Sequence, residues 1–199
     1  MPRIVRLLLV VLSDNAGHNF IIMSKFFTIL LSIFFLNDGY VERFSYTEKS
    51  ILDWSDFRGD PRLDNDFDAS VNTGITYQWS YSKDKEAIEL KYDVDSFCYP
   101  LLSWVKKGQM TDYLLAHEQL HFDISELHAR IMRKRLKEYK PGKNIRRDLN
   151  KMYKLVERMR TNMQEQYDIE TDHSRNKESQ KKWEEKVNRL IQYYDGFAK

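Results

Sequence analysis

Residues 111–142 read TDYLLAHEQLHFDISELHARIMRKRLKEYKPG. Leu114, His117, His121, Ile124, His128 and Ile131 fall at helical spacing and form one stripe, and Pro141-Gly142 ends the run. This spacing predicts a helix from about Asp112 to Tyr139 whose core-facing side carries histidines. A second helix is expected to begin near Asn144, with Ile145, Leu149, Met152, Val156, Met159 and Met163 on its apolar side. A charged third helix is expected over 178–194.

Upstream, the period changes from 3.6 to 2. Ile75, Tyr77, Trp79 and Tyr81 alternate with polar residues, as do Ile88, Leu90, Tyr92 and Val94. The link Ser82-Lys83-Asp84-Lys85 joins them into a hairpin. Residues 41–72 are rich in turn formers and read as loop, with a short strand near Ile51–Trp54. The fold class expected is α+β: a small antiparallel sheet packed on a long helical hairpin, followed by a charged C-terminal helix.

Composition narrows the function. The chain has 199 residues, 31% of them charged, and a net charge of +2. Acidic and basic residues are mixed through the helical half, which argues against a dedicated nucleic-acid binder. One cysteine, Cys98, excludes an intrachain disulfide and a thiolate-built zinc site, and reads as a small buried apolar residue. Residues 1–40 read as an N-terminal extension. Within it, an apolar run from Phe26 to Leu36 follows Lys25 and has the length of a signal-peptide core, shorter than a membrane-spanning helix. Met23 is the expected start, and the expectation is export to the periplasm, envelope or medium. The alternative is an uncleaved N-terminal anchor, the only membrane contact foreseen. A single domain is expected over 41–199.

His117-Glu118-Gln119-Leu120-His121 fits the HExxH pattern. Two histidines four apart lie one above the other on a helix and can reach one metal, while the intervening Glu can hold a water. The chemistry expected is Zn2+-dependent hydrolysis with Glu118 as general base. The third ligand must come from elsewhere, since His128 lies about 10 Å further along the helix axis. Glu126 points off the stripe and reads as solvated or supporting. The polar end of helix two, through Gln166, Glu170 and His173, returns near His117 if the two helices are antiparallel. Glu170, Asp168 and His173 are all candidates there. Tyr167 or His128 is a candidate for steadying an oxyanion, and the strand edge near 75–81 a candidate for receiving an extended peptide.

Several pieces together resemble the bacterial domain-of-unknown-function 922 family, described as predicted secreted zinc-dependent proteases. HEQLHFDISELHAR is similar to its HEQGHFDI-type motif. Ile51–Gly59 resembles its entry motif, Ser103-Trp104 a Ser-Trp element, and Tyr167-Asp168 with Thr171 and His173 its Tyr-Asp-x-x-Thr-x-His-Gly motif. The resemblance implies His117 and His121 as ligands, Glu118 as general base, and roles for Tyr167, Asp168 and His173, with His173 favoured as third ligand. It also implies a peptide or protein substrate. Leu120 and Ser174 stand where the family has glycine. A non-catalytic envelope or surface protein in which zinc only staples the helices is the alternative reading.

Overall fold

Thr111 caps the first long helix by accepting a hydrogen bond from the Leu114 N–H, 3.2 Å away. From there α1 runs over Asp112–Glu138, with Asp112 in its first turn and Arg135 and Lys137 in its last, each suited to the helix dipole at its end. The structure is a computed structural model that describes residues 41–199 apart from 63, 65 and 84–87. The proposed start at Met23, the segment Phe26–Leu36 and residues 84–85 of the hairpin link lie outside the described residues. Residues 41–199 form one compact unit.

Five strands precede or flank α1. They are β1 (Phe44–Ser45), β2 (Ala69–Ser70), β3 (Thr73–Lys83), β4 (Ile88–Cys98) and β5 (Trp104–Val105). After α1 come α2 (Ile145–Thr171) and α3 (Lys177–Tyr193). β1, β4 and β3 form an antiparallel sheet in that order, and β2 pairs separately with β5. The register sets Tyr77 against Val94 and Trp79 against Tyr92. The architecture is the mixed α+β arrangement expected, with helix ends within a residue or two of those read from the sequence. No helix among the described residues is long and apolar enough to cross a membrane.

The strand expected near Ile51–Trp54 is instead a 3-10 turn over Trp54–Asp56. Asp53 accepts the Ser55 N–H at 2.8 Å, and the Asp56 carboxylate accepts the Asp53 N–H at 2.8 Å. These local side-chain bonds satisfy the backbone without a partner strand.

Three apolar clusters meet on α1. Met132, Leu136 and Ala129 pack with Ile75 and Val94 of the hairpin and with Ile145, Leu149 and Val156 of α2. Phe122 and Leu114 pack with Leu52, Phe57, Ala69, Cys98 and Val105. Leu120 and Ile124 pack with Tyr167, Trp183 and Val187, closing a three-helix core. Helix α1 is therefore covered around most of its circumference, which explains its buried charges. Glu126, expected to be solvated or supporting, is buried against β4, where it accepts from Arg130 Nε and Arg133 Nη1, each at 3.0 Å, and from Ser96 Oγ at 2.7 Å. Burial pushes the Cys98 thiol up to about 12.

Gly59 donates its N–H to the Ser103 carbonyl at 2.7 Å. A Cβ there would stand 2.8 Å from the Leu101 carbonyl oxygen and 3.0 Å from that of Ser103. Gly142 has open space around it. Gly59→Ala is therefore expected to lose about 1–3 kcal/mol of stability by overpacking, and Gly142→Ala to change it by less than about 0.5 kcal/mol. Urea denaturation of the two variants checks this; equal effects would contradict it.

Candidate metal centre

His117 and His121 lie one turn apart on α1, and both present Nε2 to the same oxygen of Asp168 on α2. The separations from Asp168 Oδ1 are 3.3 Å for His117 and 2.9 Å for His121. Among the described residues these three form a group able to hold a metal ion, with their ligand atoms within 4.8 Å of one another. The antiparallel course of α1 and α2 creates the meeting, bringing the C-terminal turns of α2 back alongside the His117–His121 turn.

The rings are held from behind by Tyr167. It is fully buried and stacks on His117 with centroids 4.6 Å apart, while its ring meets that of His121 at 5.0 Å. Its hydroxyl points to the His117 carbonyl, 3.4 Å away, and burial pushes its ionisation up. It is absent from the cavity lining, so the sequence-based role for Tyr167 as an oxyanion donor is corrected to one of fixing the imidazoles. His128 is also removed from the site. Its Nδ1–H donates to its own Ile124 carbonyl at 2.7 Å, and burial lowers its pKa.

A cavity of about 180 Å³ opens beside the trio. Its walls are the Phe67–Val71 segment on one side and Leu114, His117, Glu118 and His121 on the other, with Gln164, Asp168 and His173 from the second helix and its end. The strand bordering it is β2, rather than the 75–81 edge of β3. Glu118 is 3% exposed and accepts the Val71 N–H at Oε2, 2.7 Å away. Burial raises its pKa against the pull of His121 and His117. For Asp168 the balance is opposite: burial raises its pKa, but the hydrogen bonds from His117 and His121 prevail and hold it low. Burial also works against charge on His121, and contact with Asp168 outweighs it, so the net direction is up.

The remaining predicted residues fall at different distances. His173 sits at the rim, its Nδ1 3.9 Å from Asp168 Oδ1 and its ring stacked on Phe67 at 5.3 Å. Phe67 in turn stacks on Trp104 at 5.7 Å. Glu170 is turned away, accepting from Gln166 at 2.7 Å and from the Trp183 indole at 2.7 Å. The stripe assumed through Gln166 and Glu170 is exposed. The buried face of α2 runs instead through Val156, Arg160, Tyr167 and Thr171. Leu120 faces Trp183 and Val187 rather than the candidate centre, so its bulk is absorbed by the helical core.

Three other side chains, to which the sequence reading gave no role of their own, brace the centre. Gln164 lies one helical turn before Asp168 and donates to the His121 carbonyl at 3.0 Å and to Ser125 Oγ at 3.2 Å. Gln119, inside the histidine motif, binds the backbone of the entry segment: its Oε1 accepts the Leu52 N–H at 2.8 Å and its Nε2 donates to the Ser50 carbonyl at 2.9 Å. Ser103 Oγ accepts the Asn72 N–H at 2.9 Å, anchoring the strand that walls the cavity.

Beyond α2 the backbone turns sharply. Asp172, His173 and Ser174 have φ of 48°, 49° and 72°. Left-handed backbone costs about 1–2 kcal/mol for a residue with a Cβ, so Ser174→Gly is expected to gain about 1 kcal/mol in urea denaturation. A loss would contradict this.

With zinc as the probe ion, Asp168→Ala is expected to weaken binding at least tenfold, because it removes one of only three converging donors. Glu170→Ala is expected to leave it unchanged. Calorimetric titration of the full chain checks this, and the reverse order would overturn the assignment.

No curated protein and no solved structure significantly matches the chain. A family model described as "Bacterial protein of unknown function (DUF922)" matches residues 101–174. That span contains α1, α2, both histidines, Glu118, Asp168 and His173, so the helical hairpin that carries the candidate centre is similar to this bacterial family of unknown function.

Proposed function

We propose that the chain is an exported zinc hydrolase that cleaves peptide bonds in a peptide or protein substrate. The observation that carries this is the convergence of His117 Nε2, His121 Nε2 and Asp168 Oδ1 beside a cavity that Glu118 also lines. The donor set fits the ion. Two imidazoles and one carboxylate leave one position of a tetrahedron for water, the pattern of a catalytic zinc site. Donors about 2.0–2.2 Å from a tetrahedral ion stand roughly 3.3–3.6 Å apart, close to the 3.3 and 2.9 Å between Asp168 and the two rings. Among the described residues His117 Nδ1 is buried without a hydrogen-bond partner, and the ring is oriented by its stacking on Tyr167.

Bound there, zinc would supply a Lewis acid for the scissile carbonyl and lower the pKa of an attacking water toward ~7. The chain's own residues do the rest. Glu118, fixed by the Val71 N–H, accepts the proton of that water and passes it to the leaving nitrogen. Asp168 Oδ1 would supply the third donor beside His117 and His121 Nε2. Tyr167 and Gln164 keep the α1 turn from rotating. Export rests on the signal-like segment Phe26–Leu36.

One observation favours a second reading. His173 is near enough that a modest shift would bring it to the same centre as a fourth ligand, making a closed, structural site. The two readings separate cleanly. Glu118→Gln is expected to keep zinc and to lose about 10²–10⁴-fold in cleavage of a peptide library. His173→Ala is expected to keep zinc within a few fold under the catalytic reading and to lose it under the closed one. Undiminished cleavage by Glu118→Gln would falsify its role as base.

A further inference from the structure

The opposite end of α2 gathers positive charge. Lys143, Arg146, Arg147, Lys151 and Lys154 recur at three- to four-residue spacing from the α1–α2 turn through the first turns of the helix, and all five are exposed. With two asparagines and Tyr81 of the hairpin they line a surface cleft of about 580 Å³. Some surface lysines elsewhere are matched locally, as in Lys134–Glu138, Lys182–Glu178 and Lys49 with Asp53 and Asp56, and others, such as Lys177 and Lys186, lie over aromatic rings. Here, among the described residues, the three lysines have no carboxylate partner. Arg146 lies over the Trp79 ring at 5.9 Å, and Arg147 makes a single 3.5 Å contact with Asp148.

Like charges at helical spacing destabilise the helix that carries them. A chain with a net charge of only +2 has concentrated them in one concave place. The donors suit phosphate: guanidinium forks for paired oxygens, ammonium groups as point charges, and amide N–H groups between them. The positive end of the α2 dipole adds to the same field. The half-exposed Tyr81 at the rim, beside Trp79, offers an aromatic ring of the kind that sits at a lipid headgroup layer. Five cations are fewer than the six to ten phosphate contacts typical of duplex DNA binders, and the single rim tyrosine is too little for a stacking platform along a single strand.

We propose that this cleft binds the phosphate of an anionic phospholipid headgroup and seats this end of α2 on a lipid surface. Its helical residues lie about 20–33 Å along α2 from Asp168, and the proposal does not depend on the metal reading.

The test uses the full chain and its Arg147→Gln/Lys151→Gln/Lys154→Gln variant, with circular dichroism to confirm that both are folded. Any contribution of residues 1–40 is common to both and cancels. Vesicles of phosphatidylglycerol mixed with phosphatidylcholine should bind the wild type. The triple variant should bind about a hundredfold more weakly, at roughly a factor of five per cation near the surface. Vesicles of phosphatidylcholine alone should not bind through the cleft, and 0.5 M salt should erase the difference. Equal vesicle binding by wild type and variant would overturn the proposal. So would binding of inorganic pyrophosphate without vesicle binding, or a preference for a single-stranded oligonucleotide over the vesicles.

Discussion

The burial of a charged helix is the constraint on which the rest of the molecule depends. Helix α1 carries His117, Glu118, His121, Glu126, His128, Arg130 and Arg133 on faces that the sheet, the entry loop and the other two helices cover. An unpaired buried charge is expensive, so each group needs a partner. In the second half of the helix the partners are internal. Glu126 is shared between two arginines and Ser96, and the same arginines reach the carbonyls of Ile191 and Phe197, tying down the C-terminal segment. One turn of α1 is treated differently. Glu118 has one backbone N–H, the two imidazoles share one carboxylate oxygen, and all of them border open space. Two buried glutamates on one helix thus have contrasting surroundings: one is neutralised by arginines, and the other faces a cavity with its charge partly unmatched.

The periodic elements were legible because periodicity reports burial directly. The His117–His121 stripe, the hairpin alternation and the Pro141-Gly142 stop all follow from which side of an element meets the core. The short strands were not legible. β1, β2 and β5 are two residues each, and what fixes them is pairing to partners tens of residues away: Phe44 with Cys98 and Ala69 with Val105. The turn at Trp54 was misread because Asp53 and Asp56 bond locally, a side-chain choice that apolar patterning does not register.

At the centre, the α1 contribution was legible and the α2 contribution only by neighbourhood. The stripe drawn through Met159 and Met163 to Gln166 and Glu170 drifts from the true buried face. That face admits Arg160, paired with Glu157, and Tyr167, both of which a hydrophobic count discards. Following it, Tyr167 falls behind the histidines and Asp168 beside them, so the carboxylate reaches the trio while His173, past the helix end in left-handed backbone, stays at the rim. The resemblance to DUF922 favoured His173 over Asp168 as the third donor, whereas in the fold Asp168 meets both imidazoles and His173 stands further out, because the order depends on the direction each side chain takes from the last turn of α2. The Val71 N–H that holds Glu118 is a backbone group and leaves no mark in sequence.

The proposed centre would hold its metal by two imidazoles and one carboxylate, with a position left for water. Zinc K-edge X-ray absorption on the zinc-loaded full chain tests it most directly. The result expected is a shell of two imidazole nitrogens and oxygen ligands, with the multiple-scattering signature of two rings, weakened in the metal that His117→Ala still holds. A shell with three imidazoles and no exchangeable oxygen would contradict the catalytic arrangement, and zinc bound without any imidazole signature would contradict the site itself.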